Sequence, residues 1–336
     1  MAFQVKKVDA DCLFNMPLFE HHLVIDTRCS EEYAAGHITT AVSLPAPSDA
    51  AELCDDAKEA LLASFVVGLV EEGLSPENIS PIVLYNGENS AGAEPLEPFT
   101  WWVVERLMQL KSNRPLQLAT VNPAAPTGVT VLESGDDYEP VLEFSNRLRD
   151  FGEEIWIMDP PYDVFRNRYP FLCGDVQFDE LVPMPHRITS SIFMGSRPFK
   201  VTLAESVRWL HELSITHVIV NTEQPLASQE GLAVLRCAVP DNQGGDMTSC
   251  FDASILYINE AVEQGTNVLV QVNGRSQSAA IIMAWLMSRQ RLTFEAALKV
   301  LEDRCWKRID TSLIFAEQLK ARQLPQAIQT VPEDLS

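Results

Sequence analysis

The amino-acid sequence predicts an α/β protein with two domains, and three observations lead to this prediction. Segment 266–285 reads TNVLVQVNGRSQSAAIIMAW, which is an apolar strand, a tight glycine turn and a helix of small residues. Segment 22–45 reads HLVIDTRCSEEYAAGHITTAVSLP, which is an apolar strand, an acidic helix start and a second strand. The chain has 336 residues, of which 46% are hydrophobic, and this favours two domains with packed cores.

The segment around the first strand carries several residues at a characteristic spacing. Asp26 and Arg28 end the strand, Tyr33 lies in the acidic helix, and Gly36-His37-Ile38 follows that helix. This pattern resembles the signature of rhodanese-type domains, and the resemblance implies an N-terminal parallel-sheet domain over residues 8–175.

The rhodanese resemblance continues to the position of the family's cysteine. Residues 82–90 read IVLYNGENS and are similar to the strand and loop that hold this cysteine, with Asn86 in its place. Sulfur transfer needs a thiolate, which asparagine cannot supply. The resemblance therefore implies a domain without sulfurtransferase activity.

An insertion, about 91–137, separates the two parts of this first domain. Its segment 98–111, PFTWWVVERLMQLK, has apolar residues at helical spacing and predicts a helix. The stretch after it is rich in Pro, Thr and acidic residues and is expected to be mobile. Trp101 and Trp102 either fill a core or anchor a partner. The sequence EIWIM (154–158) predicts a strand near the end of the domain.

The second half resembles the phosphate loop and flanks of dual-specificity protein phosphatases. In that family the loop reads His-Cys-x-x-Gly-x-Ser-Arg-Ser between a strand and a helix. The flanking segments extend the resemblance over residues 186–323, between a linker at 176–185 and a flexible tail at 324–336. A gapless overlay places Val270 at the histidine, Gln271 at the cysteine, Gly274 at the glycine, Ser276 at the serine, Gln277 at the arginine and Ser278 at the last serine.

These replacements remove the groups on which the family's reaction depends. Gln271 has no thiolate and cannot form a phosphoenzyme. Gln277 puts a neutral amide where a planar cation would grip phosphate with two parallel hydrogen bonds. Asp241 stands at the position of the general acid, and it is also a common residue of exposed turns. The resemblance thus implies a protein without phosphatase activity.

Composition excludes several classes of partner and site. The formal net charge of −22 argues against nucleic acids and anionic membranes as partners. The sequence lacks a recognisable signal peptide and a long apolar run, so a cytoplasmic or nuclear protein is expected. Seven cysteines are scattered without metal-binding spacing, so we expect reduced thiols, no metal and no cofactor.

The order of the two domains is that of MAP-kinase phosphatases. With both catalytic positions replaced, the chain looks most like their pseudophosphatase relatives, the serine/threonine/tyrosine-interacting-like proteins. In active relatives a basic cluster beside apolar residues docks the kinase. The candidate here is Lys111 and Arg114 followed by Leu116 and Leu118, although such residues are also common at solvated helix ends.

Three functional hypotheses follow. The first is a non-catalytic scaffold or competitor in phosphorylation signalling that binds proteins. The second is a reader of phosphotyrosine or phosphothreonine that uses the remnant loop Gly274, Arg275, Ser276, Gln277 and Ser278. The third is an enzyme of another kind that uses Asp241 with water or a cysteine.

Overall fold

The structure is a computed structural model that describes sixteen stretches of the chain. They are 4–16, 23–46, 54–71, 81–87, 98–111, 119–121, 129–131, 154–159, 161–174, 184–195, 210–221, 231–237, 246–272, 275–305, 309 and 313–323. The chain divides into two compact units, one of Met1–Leu13 with Pro17–Phe178 and one of Phe14–Met16 with Asp179–Ser336. The division after Phe178 falls within the stretch assigned to a linker, and most of that linker and the tail 324–336 lie outside the described residues.

The first unit contains a five-stranded parallel sheet in the order β1-β7-β4-β2-β3. Its strands β2 and β4 are short apolar runs, LVID and IVLY, as expected for strands covered on both faces. The strands are β1 Gln4–Val8, β2 Leu23–Asp26, β3 Ala41–Ser43, β4 Ile82–Tyr85 and β7 Glu154–Met158. The parallel sheet confirms the predicted α/β class, and the strand predicted at 154–158 is confirmed as β7.

Five α-helices are described in the first unit, together with a short 3-10 helix at Pro170–Leu172. Helix α2 has two glutamates in its first turn, where negative charge is stabilised by the helix dipole. It ends at Gly36, whose φ of +150° and closeness to the Tyr162 hydroxyl both disfavour a side chain. The helices are α1 Ala10–Asn15, α2 Ser30–Ala35, α3 Asp55–Glu71, α4 Pro98–Lys111 and α5 Tyr162–Arg168.

The insertion combines a confirmed prediction with two corrections. Helix α4 has the predicted bounds. Trp102 packs against the core of the unit and stacks on Phe99 at 6.2 Å, but Trp101 is 44% exposed, so only one of the pair fills a core. The stretch expected to be mobile contains an antiparallel pair, β5 Ala119–Val121 and β6 Val129–Val131. The β-branched Thr and Val residues of these two runs favour strands.

The second unit is built on a five-stranded sheet in the order β11-β10-β12-β9-β8, parallel except for the pair β8 and β9. Strand β12 occupies the centre of this sheet, between β10 and β9. The strands are β8 His186–Arg187, β9 Ile192–Met194, β10 Ile215–Asn221, β11 Ala233–Cys237 and β12 Asn267–Gln271.

Four helices are described in full in the second unit, and they pack with the sheet into one hydrophobic core. Small residues such as Ala279 and Ala280 are fully buried at the start of α7, where they allow close helix packing. The helices are α6 Thr248–Glu263, α7 Arg275–Arg289, α8 Phe294–Cys305 and α9 Leu313–Ala321. Within the described residues, no helix has both the length and the apolar character needed to cross a membrane.

Candidate functional site

The candidate site of the second unit lies at the carboxyl end of the central strand β12. The strand ends at Gln271, Val272 follows it, and α7 begins at Arg275. Ligands of α/β proteins commonly bind outside the carboxyl ends of strands and at helix N-termini, where backbone N–H groups point outward. The predicted strand and helix of segment 266–285 are both present, and residues 273–274 between them lie outside the described residues.

Gln271 lies against Gly195, the residue that follows β9. The Gly195 N–H donates to the Val270 carbonyl at 3.0 Å, which fixes the glycine beside the end of β12. A Cβ at position 195 would stand only 2.7 Å from Cδ of Gln271. The half-buried glutamine amide thus occupies the space that the missing side chain leaves. Sequence reasoning assigned no role to Gly195, although a lone glycine after an apolar strand is a signal of close approach.

Ser278 holds the loop through its hydroxyl. The side chain is fully buried, and its Oγ accepts a hydrogen bond from the Val272 N–H at 3.0 Å. This bond connects the end of β12 to the first turn of α7. The Val272 N–H is consequently engaged within the protein, and the serine has a structural role at this position.

The other residues around the loop include few titratable side chains. Val270 is completely buried and pairs with Met194 and Ile219 of the neighbouring strands, so it is part of the core. Segment 267–289 contains no Cys, His, Asp or Glu. A serine hydroxyl of this segment would therefore need a base from another part of the chain to act as a nucleophile.

The structure describes some of the other predicted loop residues and leaves others outside the described part of the chain. Ser276 and Gln277 are half-buried in the first turn of α7. Arg275 begins α7, but its side chain lies outside the described residues, as do Gly274 and Asp241. The structure thus brings Gln271, Val272 and Ser278 together, and the roles assigned to Arg275 and Asp241 stay predictions.

A second candidate site follows β4 in the first unit. Asn86 is 2% exposed, and its backbone carbonyl accepts a hydrogen bond from the Tyr162 N–H at 3.1 Å. Its side-chain Nδ2 has no hydrogen-bond partner among the described residues. The next residue, Gly87, approaches Arg28 and Glu32, and a Cβ there would lie 3.1 Å from Oε1 of Glu32. Asn86 is therefore packed inside the unit.

The signature residues of the first unit form a buried ion-pair network beside Asn86. The Arg28 Nη2 donates to Oδ2 of Asp26 at 2.6 Å and to the Gly36 carbonyl at 2.7 Å. The guanidinium group lies 3.8 Å from the centre of the Tyr162 ring, a favourable cation–π distance. The Tyr85 hydroxyl donates to the same Asp26 oxygen at 2.7 Å.

The protonation equilibria of this network follow from burial and from the charge of Asp26. Burial by itself would lower the pKa of Arg28, but the hydrogen bond and the negative charge of Asp26 outweigh this effect and raise it. Burial raises the pKa of Tyr85, and the carboxylate of Asp26 raises it further. Arg28 therefore stays charged and Tyr85 stays neutral near neutral pH.

The other signature residues also have structural contacts. The Tyr33 hydroxyl donates to the Ala41 carbonyl at 2.9 Å, and the Tyr33 ring stacks on His37 at 4.0 Å. The Ile38 N–H donates to the Tyr85 hydroxyl at 3.1 Å. These bonds fix the turn between α2 and β3.

The predicted kinase-docking residues are largely outside the described part of the chain. Lys111 ends α4, and neither its side chain nor the residues Arg114, Leu116 and Leu118 are described. The docking site therefore stays a prediction.

Among the described residues, no group of three or more His, Cys, Asp or Glu side chains could hold a metal ion.

Comparison with known proteins relates the second unit to one family. The family model "Dual specificity phosphatase, catalytic domain" matches residues 200–323. Dual specificity protein phosphatase 12 of Mus musculus is 35% identical over 97 residues, which are 27% of this chain and 29% of that protein. The chain thus spans less than a third of the length of this relative.

This chain matches a larger share of two further relatives. A probable rhodanese domain-containing dual specificity protein phosphatase of Dictyostelium discoideum is 22% identical over 326 residues, which are 90% of this chain and 65% of that protein. Human dual specificity phosphatase 28 is 31% identical over 124 residues, which are 36% of this chain and 68% of that protein. With the matched catalytic-domain model, this similarity shows that the chain belongs to the dual-specificity phosphatase family.

Proposed function

We propose that this chain is a catalytically inactive dual-specificity phosphatase homologue that regulates phosphorylation signalling by binding proteins. The observation that carries the proposal is Gln271 at the end of β12, packed against Gly195. An amide has no ionisable thiol, so no phosphoenzyme can form at this position. Loss of a nucleophile alone can lower kcat by on the order of a millionfold.

Gln277 supports the same proposal independently. It lies in the first turn of α7, where the overlay with the family places the arginine that grips phosphate. A neutral amide neither balances the charge of a phosphoryl group nor makes the paired N–H contacts of a guanidinium. Two separate requirements of the reaction are therefore missing from one loop.

The first unit supports a binding role in place of catalysis. We interpret it as a rhodanese-like domain whose cysteine position is Asn86, and the Dictyostelium relative bears a name that combines the same two domains. Its signature residues are engaged in the buried network of Asp26, Arg28 and Tyr85. Such a unit keeps its surface for partners and lacks a cysteine at the position of the sulfurtransferase nucleophile. The pseudophosphatase relatives of MAP-kinase phosphatases are the class that matches this combination.

Turnover measurements test the absence of catalysis. Wild-type protein and the variant Gln271→Ala are compared on p-nitrophenyl phosphate and on a phosphotyrosine peptide, and both should match the rate without protein. The double variant Gln271→Cys with Gln277→Arg restores the two missing groups, and we expect turnover above background in it alone. A wild-type rate that disappears in Gln271→Ala would overturn the proposal, because Gln271 would then take part in a reaction.

For the partner, we propose a MAP-kinase-type protein docked through Lys111, Arg114, Leu116 and Leu118. A basic-then-apolar surface complements an acidic docking groove. The double variant Lys111→Glu with Arg114→Glu should lose the kinase in affinity purification from the native cell. Lys299→Glu, a charge reversal at an exposed position of α8, is the matched control and should retain it. Unchanged kinase recovery with the first variant would eliminate this docking site.

A phosphotyrosine or phosphothreonine reader is the second candidate. The beginning of α7 at Arg275 favours it, since a helix N-terminus attracts anions. However, the Val272 N–H is already bonded to Ser278, which leaves fewer donors for a phosphate. A phosphopeptide and its unphosphorylated twin separate the two functions. Equal affinities support the scaffold, whereas a preference for the phosphopeptide identifies a reader.

A further inference from the structure

Two buried cysteines of the second unit meet at one serine hydroxyl. Cys237 ends strand β11, and Cys250 lies in the first turn of α6. Their Sγ atoms are 3.4 Å and 3.9 Å from Oγ of Ser254, which is one helical turn beyond Cys250. The three side chains therefore form one compact cluster.

The cluster makes the two thiols chemically unequal. The hydrogen bond from Cys250 lowers the pKa of Cys237 against the opposing effect of burial, and the Ser254 hydroxyl adds to this lowering. The same hydrogen bond and burial raise the pKa of Cys250. Cys237 thus carries the greater thiolate character, which is what an attacking sulfur needs, while Cys250 holds its proton beside it.

Local opening of strand β11 at Cys237 would give a small reagent access to the cluster. Cys237 is 4% exposed and Cys250 is 6% exposed. Among the described strands, β11 lies at the edge of the sheet and pairs with β10, and most of its residues other than Cys237 are exposed. The ends of edge strands open more readily than central strands. Local opening at Cys237 would therefore admit a small disulfide without unfolding of the central strand β12.

We propose that Cys237 and Cys250 form a reversible disulfide in this protein and act as a redox-sensitive clasp between β11 and α6. The thiolate of Cys237 attacks one sulfur of a low-molecular-weight disulfide, which releases the first small thiolate and leaves a mixed disulfide on Cys237. Cys250 then loses its proton, attacks Sγ of Cys237 and releases the second small thiolate. Both small thiolates take up protons, so two protein thiols are oxidised and one small disulfide is reduced to two thiols.

The clasp would close the chain around the segment 238–249. This segment contains Asp241, the residue that the overlay places at the family's general-acid position. A covalent link between its two ends reduces the conformations open to it. Oxidation would therefore restrict the chain between Cys237 and Cys250 without a covalent change at Gln271 or Ser278. The inference does not depend on the proposed function, because it concerns thiols that the phosphate loop does not contain.

Peptide mapping of the full-length protein tests the clasp. The protein is equilibrated with oxidised glutathione under native conditions, and its free thiols are blocked with iodoacetamide. It is then digested with trypsin together with a protease that cleaves before aspartate. The sequence places Cys237 in peptide 237–240 and Cys250 in peptide 246–251. We expect a disulfide to join these two peptides, so that their combined mass is lower by two hydrogen atoms. This disulfide should consume two of the seven thiols.

The other cysteines are internal controls for this experiment. Cys54 is exposed and should form only a mixed disulfide with glutathione, which shows that the oxidant is effective. Cys305 is buried in α8 and its replacement in Cys305→Ser should leave the linked peptide unchanged. In Cys250→Ser the linked peptide should be absent, and Cys237 should retain glutathione.

Two results would overturn the proposal. One is modification of Cys54 while peptides 237–240 and 246–251 stay separate and reduced in the wild-type protein. The other is a link from Cys237 to a cysteine other than Cys250, since random pairing shows that oxidation follows unfolding. Both readings come from the wild-type chain and do not require any variant to fold.

Discussion

Arg28 and Asp26 illustrate at the residue scale how a signature motif can serve the fold. The side chains of Arg28 and Asp26 are 5% and 0% exposed, so both charges are removed from water. Desolvation of such a pair is costly, and hydrogen bonds from Tyr85 and to Gly36 offset part of the cost. The pair is stable only as a whole, because either charge alone would be buried without compensation.

Removal of Asp26 from its buried pair with Arg28 should therefore destabilise the fold strongly. We expect Asp26→Ala to lower the free energy of unfolding by about 3–5 kcal/mol, because Arg28 would remain buried without its counter-charge. Urea titration followed by circular dichroism measures this loss. Lys7→Ala breaks the exposed pair of Lys7 with Asp159 and should cost less than about 1 kcal/mol. Equal losses in the two variants would contradict the structural role assigned to the buried pair.

At the scale of elements, helix α7 links the candidate site to the core of the second unit. Its first turn holds Ser278, which bonds the end of β12, and its later residues pack against α6, α8 and α9. Trp285 on α7 is 3% exposed, and its Nε1 donates to Oδ1 of Asn259 on α6 at 3.0 Å. The position of the loop thus depends on helix packing remote from it.

Truncation of this tryptophan should destabilise the second unit. We expect Trp285→Ala to cost about 3–5 kcal/mol, since it creates a large cavity between α6 and α7 and leaves Asn259 without this donor. Thermal unfolding of the purified variant measures the change. Leu256→Ala is the matched control, because Leu256 lies on α6 but is 71% exposed, and it should change stability by no more than about 0.5 kcal/mol.

On the scale of the whole molecule, the chain combines two cores with a strongly acidic charge. A large hydrophobic cluster of first-unit residues surrounds β4, and a large cluster of second-unit residues surrounds β12. The 25 basic and 47 acidic residues give 25 − 47 = −22, a charge that repels polyanions. Each unit has its own apolar core, and this is the condition for separate folding.

Hydrogen exchange should resolve the two units. Asp26→Ala should reduce amide protection in β2 and β4 and leave β10 and β12 unchanged, because it acts on the core of the first unit. Trp285→Ala should have the opposite pattern. Mass spectrometry of digested peptides measures protection strand by strand. Loss of protection throughout the chain in both variants would show that the units unfold together.

The sequence by itself determined the α/β class, strands β7 and β12, and the helices α4 and α7. Local apolar periodicity and turn residues specify these elements without reference to distant parts of the chain. The sequence also assigns Gln271 and Asn86 to the cysteine positions of the two resemblances, and this assignment stays a prediction.

The tertiary structure decided how these residues are surrounded. Sheet order brings Gly195 against Gln271, and the packing of α6 on the sheet brings Cys237 and Cys250 to the same Ser254 hydroxyl. It also separates Trp102 in the core from its exposed neighbour Trp101. Such contacts depend on how strands and helices pack, and local sequence patterns do not specify that packing.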